Sequence, residues 1–314
     1  MTVGIEAIAA YVPSGRRSNL DRLAAFGITE DFIDSKIGVR ELPVRGQDED
    51  TSDLACRAIE AIATSTGFDV RGVDALVLCT QNPDGFGLPH TSAIVHGKLD
   101  IQKKCLAFDI SLGCSGFVYG LTVLQSLMET QGLSAGLLVT ADPYSKVVDI
   151  NDKNTSLLFG DAATATLLVR SDVNKPRLRL TSAQFGTDGS QRHALATGSD
   201  RVLRMNGRDV FNFSATTVPA QIKDLLLVAD LKFDDIDLYI LHQGSKYIVD
   251  TLTRRLGLPM DKVPLAIGET GNTISSSIPL ILRHHLVPGH RRRLLISGFG
   301  VGLSYASAIL EWSA

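Results

Sequence analysis

The stretch Phe108-Asp-Ile-Ser-Leu-Gly-Cys-Ser-Gly-Phe117 has the pattern of a short apolar strand, a cysteine and a helix that begins with small residues. We predict that the strand ends at Gly113 and that Cys114 lies at the N-terminus of the helix. Unpaired backbone N–H groups and the helix dipole favour an anion there, so we expect a thiol pKa below the usual ~8.5 and a nucleophilic cysteine. The alternative for Cys114 is a small buried apolar residue. That alternative is the prediction for the other cysteines, Cys56, Cys79 and Cys105.

The sequence around Cys114 recurs weakly in the second half of the chain. Gly113–Leu124 matches Gly271–Leu282 in pattern, which puts Asn272 at the position equivalent to Cys114. Taken alone, Asn272 reads as a turn residue or a helix cap. The repeat instead suggests that both residues face a shared centre.

A second matching pair is Val73–Cys79 and Ile236–His242. Each segment is an apolar strand that opens into a polar turn, and His242 stands at the end of the second. Ends of strands that open into glycine turns are where α/β folds build their sites. A hydrogen-bonded structural histidine is the alternative for His242.

Strand-length apolar runs alternate with segments of helical period, which is typical of an α/β fold. We predict two related halves, 1–172 and 173–314, divided at the polar stretch Ser171–Pro176. The predicted helical segments are Ser52–Ser65, Ser115–Thr130 and Thr217–Ala229.

Composition excludes several classes of function. The 314 residues include 31 Lys and Arg against 34 Asp and Glu, a net charge of −3 that gives no support to a nucleic-acid partner. The four cysteines form no CxxC pair and no histidine has metal-ligand spacing, so we expect no metal site. The N-terminus lacks a signal-peptide pattern and the apolar runs are too short for a membrane helix. We therefore predict a protein of the reducing cytoplasm without a membrane segment.

Taken together, these positions make the chain resemble the β-ketoacyl-acyl carrier protein synthase III family of the thiolase superfamily. The resemblance runs from end to end and implies a thiolase-like duplicated α-β-α-β-α layered fold with two pseudo-symmetric halves. The matching motifs are Cys114-Ser-Gly-Phe, His242-Gln, Gly271-Asn-Thr, Gly298-Phe-Gly-Val-Gly302, Ile37-Gly-Val-Arg40, Phe159-Gly-Asp161 and Met205-Asn-Gly-Arg-Asp-Val-Phe211.

The resemblance implies a decarboxylative condensation. Cys114 would attack an acyl-coenzyme A thioester, with the backbone N–H groups of Cys114 and Val301 holding the oxyanion. A malonyl thioester would then lose carbon dioxide, and His242 and Asn272 would donate hydrogen bonds to the enolate oxygen. The C-terminal glycine loop has no second cysteine, which disfavours reversible thiolysis. Coenzyme A thioesters are the expected substrates and no cofactor is expected.

The resemblance also assigns substrate-binding positions. Phe32, Lys36 and Lys153 match the aromatic and arginine residues that clamp coenzyme A in the family, and Phe211 ends a matching motif. Lysine is a point charge, so bidentate phosphate recognition is weakened. Leu88 matches the residue that projects from the partner subunit into the acyl tunnel and is aromatic in acetyl-preferring members. A smaller residue there suggests a tunnel for medium-length acyl groups.

Basic residues on the helix predicted after His242 suggest a docking patch for an acidic carrier protein: Lys246, Arg254 and Arg255. A solvated helix face is the alternative. By resemblance, the expected partners are acyl-coenzyme A, malonyl-acyl carrier protein or malonyl-coenzyme A, the acyl carrier protein, and a second copy of the chain in a homodimer.

Other functions stay open from the sequence. A non-condensing acyltransferase or thioesterase would move the acyl group from Cys114 to an alcohol, an amine or water, and Asn272 beside His242 argues for condensation instead. The intact set of three residues argues against a non-catalytic subunit of a heterodimeric synthase. A papain-like hydrolase uses the same residue types but is typically secreted and disulfide-bonded. Primer length, extender carrier and pathway are not determined.

Overall fold

The computed structural model describes residues 2–171, 177–287 and 292–312. Its strands are β1 (Thr2–Tyr11), β2 (Gly15–Ser18), β3 (Glu41–Val44), β4 (Ala75–Cys79), β5 (Leu106–Ile110), β6 (Ala135–Ala141), β7 (Ala163–Ser171), β8 (Leu178–Thr187), β9 (Leu195–Thr197), β10 (Leu203–Met205), β11 (Leu238–Leu241), β12 (Arg293–Gly300) and β13 (Ser304–Trp312). Its α-helices are α1 (Leu23–Phe26), α2 (Glu30–Phe32), α3 (Thr51–Thr66), α4 (Thr91–Lys98), α5 (Gly116–Gln131), α6 (Lys153–Ser156), α7 (Gly207–Val228), α8 (Lys246–Leu256), α9 (Ile267–Thr270) and α10 (Ser277–Leu282).

The strand order repeats across the molecule. The large sheet of the described residues has the order β11-β12-β13-β8-β1-β7-β6-β4-β5, and its two parts meet at a single pairing between Ile5 and Leu178. In the first part β4 is parallel to β6, while β6 and β7, and β7 and β1, are antiparallel. In the second part β11, β12, β13 and β8 have the same order and the same directions. The weak sequence repeat therefore corresponds to a repeated topology, with β5 as an additional edge strand.

The helices lie in three layers around the two parts of the sheet. Helix α5 contacts β4 and β6 of the first part and also β8, β12 and β13 of the second, and α10 likewise contacts strands of both parts. Helices α3 and α4 cover the outer face of the first part, whereas α7 covers that of the second and α8 packs against α7. The predicted α-β-α-β-α layering of a duplicated α/β fold is confirmed.

The predicted boundary between the halves falls on residues 172–176, which lie outside the described residues. The division into 1–172 and 173–314 therefore stays a prediction. Among the described residues, no helix combines the length and the apolar character needed to cross a bilayer.

Two predicted element boundaries are wrong. Strand β5 ends at Ile110 rather than Gly113, because the backbone turns there and Leu112 donates to the Ile110 carbonyl. Helix α7 begins ten residues before the predicted Thr217, where the Asn206 side chain accepts hydrogen bonds from two backbone N–H groups and caps the helix. Pro219 lies inside α7 rather than near its start.

Helix α5 packs on the first part of the sheet through a glycine. A Cβ atom at Gly120 would lie 2.6 Å from Leu138 Cδ1 and 2.9 Å from Cys79 Sγ, distances shorter than real carbon contacts. The missing side chain lets the helix approach β6 closely. This approach positions the N-terminus of α5, and Cys114 just before it, in the middle of the molecule.

We expect Gly120→Ala to lower the free energy of unfolding by about 1–3 kcal/mol, because the added methyl overpacks the α5–sheet contact. Gly97→Ala is the matched control, since Gly97 is an exposed residue of α4 with open space around it. There the same change should raise stability by about 0.5–1 kcal/mol. Chemical denaturation of both variants measures the difference, and equal effects would contradict the packing argument.

Candidate active site

Cys114 lies in the turn between β5 and α5, where the Gly116 N–H donates to the Gly113 carbonyl over 2.7 Å. The N-cap of α5 is Ser115, so the cysteine immediately precedes the helix. Strand β12 of the other half crosses directly over it. A Cβ atom at Gly300 would lie 2.7 Å from Cys114 Sγ, which leaves room for glycine alone. The thiol is buried between the two halves, with 4% of the residue exposed.

The prediction of a lowered thiol pKa is wrong for the free protein. Burial, with a smaller contribution from the negative charge of Asp142, raises the pKa of Cys114 to about 12. The backbone N–H groups of Cys114 and Val301 act in the opposite direction, because they hydrogen-bond to the thiolate. These two N–H groups favour the thiolate, but the cost of removing a thiolate from water exceeds their effect.

The same two N–H groups point at the sulfur from opposite segments. Val301 follows β12, and its N–H reaches Cys114 because Gly298 and Gly300 let β12 pass close to the turn. Two N–H donors converging beside a nucleophile are the geometry of an oxyanion hole. The arrangement fits the predicted role of Val301, which stays a proposal.

His242 directly follows β11, and its backbone N–H donates to Ser297 on β12 over 2.8 Å. Its ring lies edge-on to Phe299, with centroids 5.4 Å apart. Its Nδ1 atom is 2.7 Å from the hydroxyl oxygen of Ser277. Burial lowers the pKa of His242 to about 3, with the backbone of Ile274 opposing, so the ring is neutral at physiological pH.

Asn272 is held by its own backbone. Its N–H donates to the Leu158 carbonyl over 2.9 Å, and its carbonyl accepts from the Gly160 N–H over 3.1 Å. The Ile274 N–H donates to Oδ1 of Asn272 over 3.0 Å, while Nδ2 donates to the Gly244 carbonyl over 3.4 Å. The amide is therefore oriented with its oxygen occupied and the second hydrogen of its NH₂ group available for donation. Ile274 has a φ of 56°, which is strained for a β-branched residue. This backbone conformation directs the Ile274 N–H to Oδ1 of Asn272.

The three predicted residues share one cavity. A volume of about 350 Å³ is bordered by Cys114, His242 and Asn272. Apolar side chains form much of its wall: Ile37, Tyr144, Leu158, Phe159, Leu195, Met205, Val210, Phe211, Ile248 and Phe299. Within the described parts of the chain, no group of three His, Cys, Asp or Glu side chains is arranged to hold a metal ion.

The predicted substrate-binding residues divide into two groups. Lys36 and Phe211 line the cavity. Phe32, Lys153 and Leu88 are not among the residues that line it. Lys153 is exposed at the start of α6, and Leu88 is 92% exposed on the loop before α4. The position of Leu88 is compatible with a residue that reaches another subunit, as the resemblance implies.

Sequence reasoning missed several residues of the cavity. Tyr247 lies at its edge with its ring stacked on Phe211, the centroids 5.1 Å apart, and with Lys36 Nζ 3.9 Å from its centroid. Arg208 also lines the cavity and adds a guanidinium group to it. Arg208 belongs to the motif Met205–Phe211 quoted above, so the sequence motif could have indicated this residue. For Tyr247, the one signal was its position five residues after His242.

The predicted docking residues lie on α8, the outer helix of the second half. Lys246 Nζ forms an ion pair with Asp250 over 2.6 Å, and this pair offsets the positive charge of the lysine. Arg254 donates to the Asp250 carbonyl and Arg255 to the Ala215 carbonyl, but both side chains are exposed. Two arginines therefore present charge to solvent and one lysine is largely neutralised.

We expect Asp142→Asn to lower the pKa of Cys114, because it removes the nearest negative charge. The variant should fold, since Oδ1 accepts the hydrogen bonds from Asn82 and Gln81 and Oδ2 has no partner among the described residues. Burial raises the pKa of Asp142 to about 6, so the wild-type carboxyl is ionised near pH 8. Alkylation of Cys114 by iodoacetamide at that pH should become about 3- to 10-fold faster.

In the wild type, the alkylation rate should rise about tenfold per pH unit between about pH 7 and pH 9 without a plateau, because Asp142 is then ionised and the thiolate fraction grows until the thiol pKa is reached. Peptide mass spectrometry separates Cys114 from the half-buried Cys105. A plateau below pH 8, or an unchanged rate in Asp142→Asn, would contradict this account.

Comparison with known proteins agrees with this geometry. The family profile for 3-oxoacyl-[acyl-carrier-protein] synthase III matches residues 108–189, and the profile of its C-terminal part matches residues 226–312. The β-ketoacyl-[acyl-carrier-protein] synthase III of Thermosynechococcus vestitus is 33% identical over 99% of this chain and 98% of its own length.

Solved structures show the same relationship. The β-ketoacyl-[acyl carrier protein] synthase III of Thermus thermophilus is 32% identical, with a TM-score of 0.90 over 99% of this chain and 100% of its own. A priming β-ketosynthase from a polyketide biosynthetic pathway is 27% identical, with a TM-score of 0.88 over 99% and 96% of the two chains. From its sequence, fold and relatives, this chain belongs to the 3-oxoacyl-[acyl-carrier-protein] synthase III family.

Proposed function

We propose that the protein catalyses the decarboxylative Claisen condensation of an acyl-coenzyme A primer, held on Cys114, with a malonyl thioester. One observation carries this proposal: the thiol of Cys114 shares a cavity with two side chains that can donate N–H groups, His242 and Asn272. A nucleophile alone serves any acyl transfer. Two converging donors beside it suit an enolate oxygen, which arises only when a carbanion equivalent is formed.

In the first step, the Cys114 sulfur attacks the thioester carbonyl carbon of the primer. A new S–C bond forms, the bond to the coenzyme A sulfur breaks, and the proton of the Cys114 thiol ends on coenzyme A. The N–H groups of Cys114 and Val301 stabilise the tetrahedral oxyanion. The same donors stabilise the thiolate, which offsets part of the burial cost that raises its pKa.

In the second step, the bond between the malonyl α-carbon and its carboxylate breaks and carbon dioxide leaves. The electron pair forms an enolate whose oxygen accepts hydrogen bonds from His242 Nε2 and Asn272 Nδ2. The α-carbon then attacks the acyl carbon on Cys114 and a C–C bond forms. The bond from the acyl carbon to the Cys114 sulfur breaks, and the thiolate takes up a proton from solvent. The product is a β-ketoacyl thioester. Neutral donors suit this step because the largely apolar wall of the cavity strengthens their hydrogen bonds to a transient anion.

Two alternatives of other classes are less well supported. A non-condensing acyltransferase or thioesterase would need an acceptor molecule or a water beside the acyl group. Such a reaction forms no enolate, so it would not need the N–H donor of Asn272. A non-catalytic subunit of a heterodimeric synthase would have no use for the buried set of three side chains. The similarity to both fatty-acid-type synthases and a polyketide priming enzyme leaves the pathway open.

We propose acyl-coenzyme A and malonyl-acyl carrier protein or malonyl-coenzyme A as substrates, with no cofactor. At the mouth, Lys36 and Arg208 supply positive charge beside the Tyr247–Phe211 stack, which suits the phosphates and the flat base of coenzyme A. The exposed Arg254 and Arg255 are the proposed contacts to an acidic carrier protein. A homodimer and a cytoplasmic location remain predictions.

We further propose a primer longer than acetyl. The cavity that Cys114 borders is also lined by apolar side chains, including Leu158, Leu195 and Met205, which favour an acyl chain. In the proposed homodimer, Leu88 would reach the acyl tunnel of the second subunit, where its side chain would take up less space than an aromatic ring.

Intact-protein mass spectrometry reads both half-reactions. Wild type incubated with acyl-coenzyme A should gain one acyl mass, and malonyl donor should remove it with release of a β-ketoacyl product. Cys114→Ala should show no increment. An increment that persists with malonyl donors but discharges to water or an alcohol would favour the non-condensing enzyme. A wild-type protein that gains no acyl mass would favour the non-catalytic subunit of a heterodimeric synthase.

Asn272→Asp separates the two steps. The variant keeps an oxygen for the Ile274 N–H but replaces the Nδ2 donor with an acceptor, so acylation should continue while condensation falls about 100-fold or more. Asn212→Asp is the matched control, because Asn212 is an exposed residue of α7. Stopped assays near pH 8 measure both rates. Condensation at the wild-type rate in Asn272→Asp would remove Asn272 from the mechanism.

A series of acyl-coenzyme A substrates of increasing length tests the primer proposal. We expect medium-length chains to load Cys114 at least as fast as acetyl, and Leu88→Phe to shift the preference toward acetyl by about tenfold, since the ring fills space that a leucine leaves. Loading by acetyl alone in the wild type would overturn the proposal.

A further inference from the structure

The Ser277 hydroxyl lies between two groups of the segment that follows β11. Its oxygen is 2.7 Å from His242 Nδ1 and 3.4 Å from the backbone nitrogen of Gln243. Ser277 is the first residue of α10 and is 3% exposed. Among the described residues, these two groups are the hydrogen-bond partners of the hydroxyl.

The two partners differ in what they can do. The backbone N–H of Gln243 can only donate, so the Ser277 hydroxyl oxygen accepts its hydrogen. The hydroxyl hydrogen is then free to be donated, and Nδ1 of His242 lies at the distance of a strong hydrogen bond to receive it. A neutral imidazole whose Nδ1 accepts carries its hydrogen on Nε2.

The opposite tautomer is disfavoured by the same contacts. With hydrogen on Nδ1, both that group and the Gln243 N–H would donate to the Ser277 oxygen, and its hydroxyl hydrogen would have no partner among the described residues. Leaving a buried donor unpaired costs free energy. Nε2 would also present a lone pair to the cavity, where an enolate oxygen would be repelled.

We infer that Ser277 is a positioning residue that holds His242 in the Nε2–H tautomer. The catalytic value of this tautomer rests on the proposed function, because the enolate oxygen needs a donor at Nε2. The tautomer itself is a property of the resting protein. Failure of the two ideas can therefore be told apart.

Nitrogen NMR of protein carrying ¹⁵N-labelled histidine reads the tautomer without substrate. In the wild type, His242 should show an unprotonated Nδ1 and a protonated Nε2, assigned by comparison with the spectrum of His242→Gln. Ser277→Ala should populate the Nδ1–H form. A wild-type His242 with its hydrogen on Nδ1 overturns the inference whatever the activity, and it does so even when Ser277→Ala fails to fold.

Kinetics supply the second readout. Ser277→Ala should lower kcat for condensation about 10- to 100-fold, less than the loss of a whole donor, while acylation of Cys114 stays within about twofold. Ser277→Thr keeps the hydroxyl and should restore most of the rate. An equal loss of acylation and condensation in Ser277→Ala would indicate a general structural effect and overturn the inference.

Ser275→Ala is the matched control. Ser275 is buried two residues earlier in the same turn, and its hydroxyl has no hydrogen-bond partner within the described chain. Its removal should change neither the His242 resonances nor kcat. A Ser275→Ala variant that behaved like Ser277→Ala would show that any serine lost from this turn disturbs the site, which overturns the specific role.

Discussion

The close approach of strand β12 to the turn that carries Cys114 is the contact on which the rest of the site depends. It requires bare backbone on the strand, because side chains at Gly298 and Gly300 would overlap Ser115 and the thiol itself. This approach buries the sulfur and brings the Val301 N–H to it. The two halves of the duplicated fold therefore complete one nucleophilic site that neither half contains alone.

Cys114 and His242 are both uncharged in the resting protein, and this follows from the same burial. A thiol whose pKa is raised to about 12 and an imidazole whose pKa is lowered to about 3 both avoid carrying charge away from water. The fixed N–H donors are positioned to stabilise negative charge that develops on the substrate during the reaction. In a largely apolar cavity such donors act strongly and need no reorganisation, which suits two successive oxyanions.

The three residues at the centre could be predicted because each lies in a short motif whose spacing repeats between the halves. The residues at the cavity mouth were harder, because their positions depend on how loops and helices of different halves come together. Lys36 and Phe211 line the cavity, whereas Phe32 and Lys153 are not among its lining residues. Tyr247 joins it through stacking on a ring 36 positions away, a contact without a local pattern.

The sequence by itself determined the α/β alternation, the duplication and Cys114 as the candidate nucleophile, since these depend on local periodicity and on residue types at turns. Only the tertiary structure decided the protonation of Cys114 and His242 and the partners that orient their neighbours. Desolvation depends on every element packed around a group, and the Ser277 contact joins residues 35 positions apart. Such effects arise from the assembled layers, where charge is costly and each donor must find its acceptor across the fold.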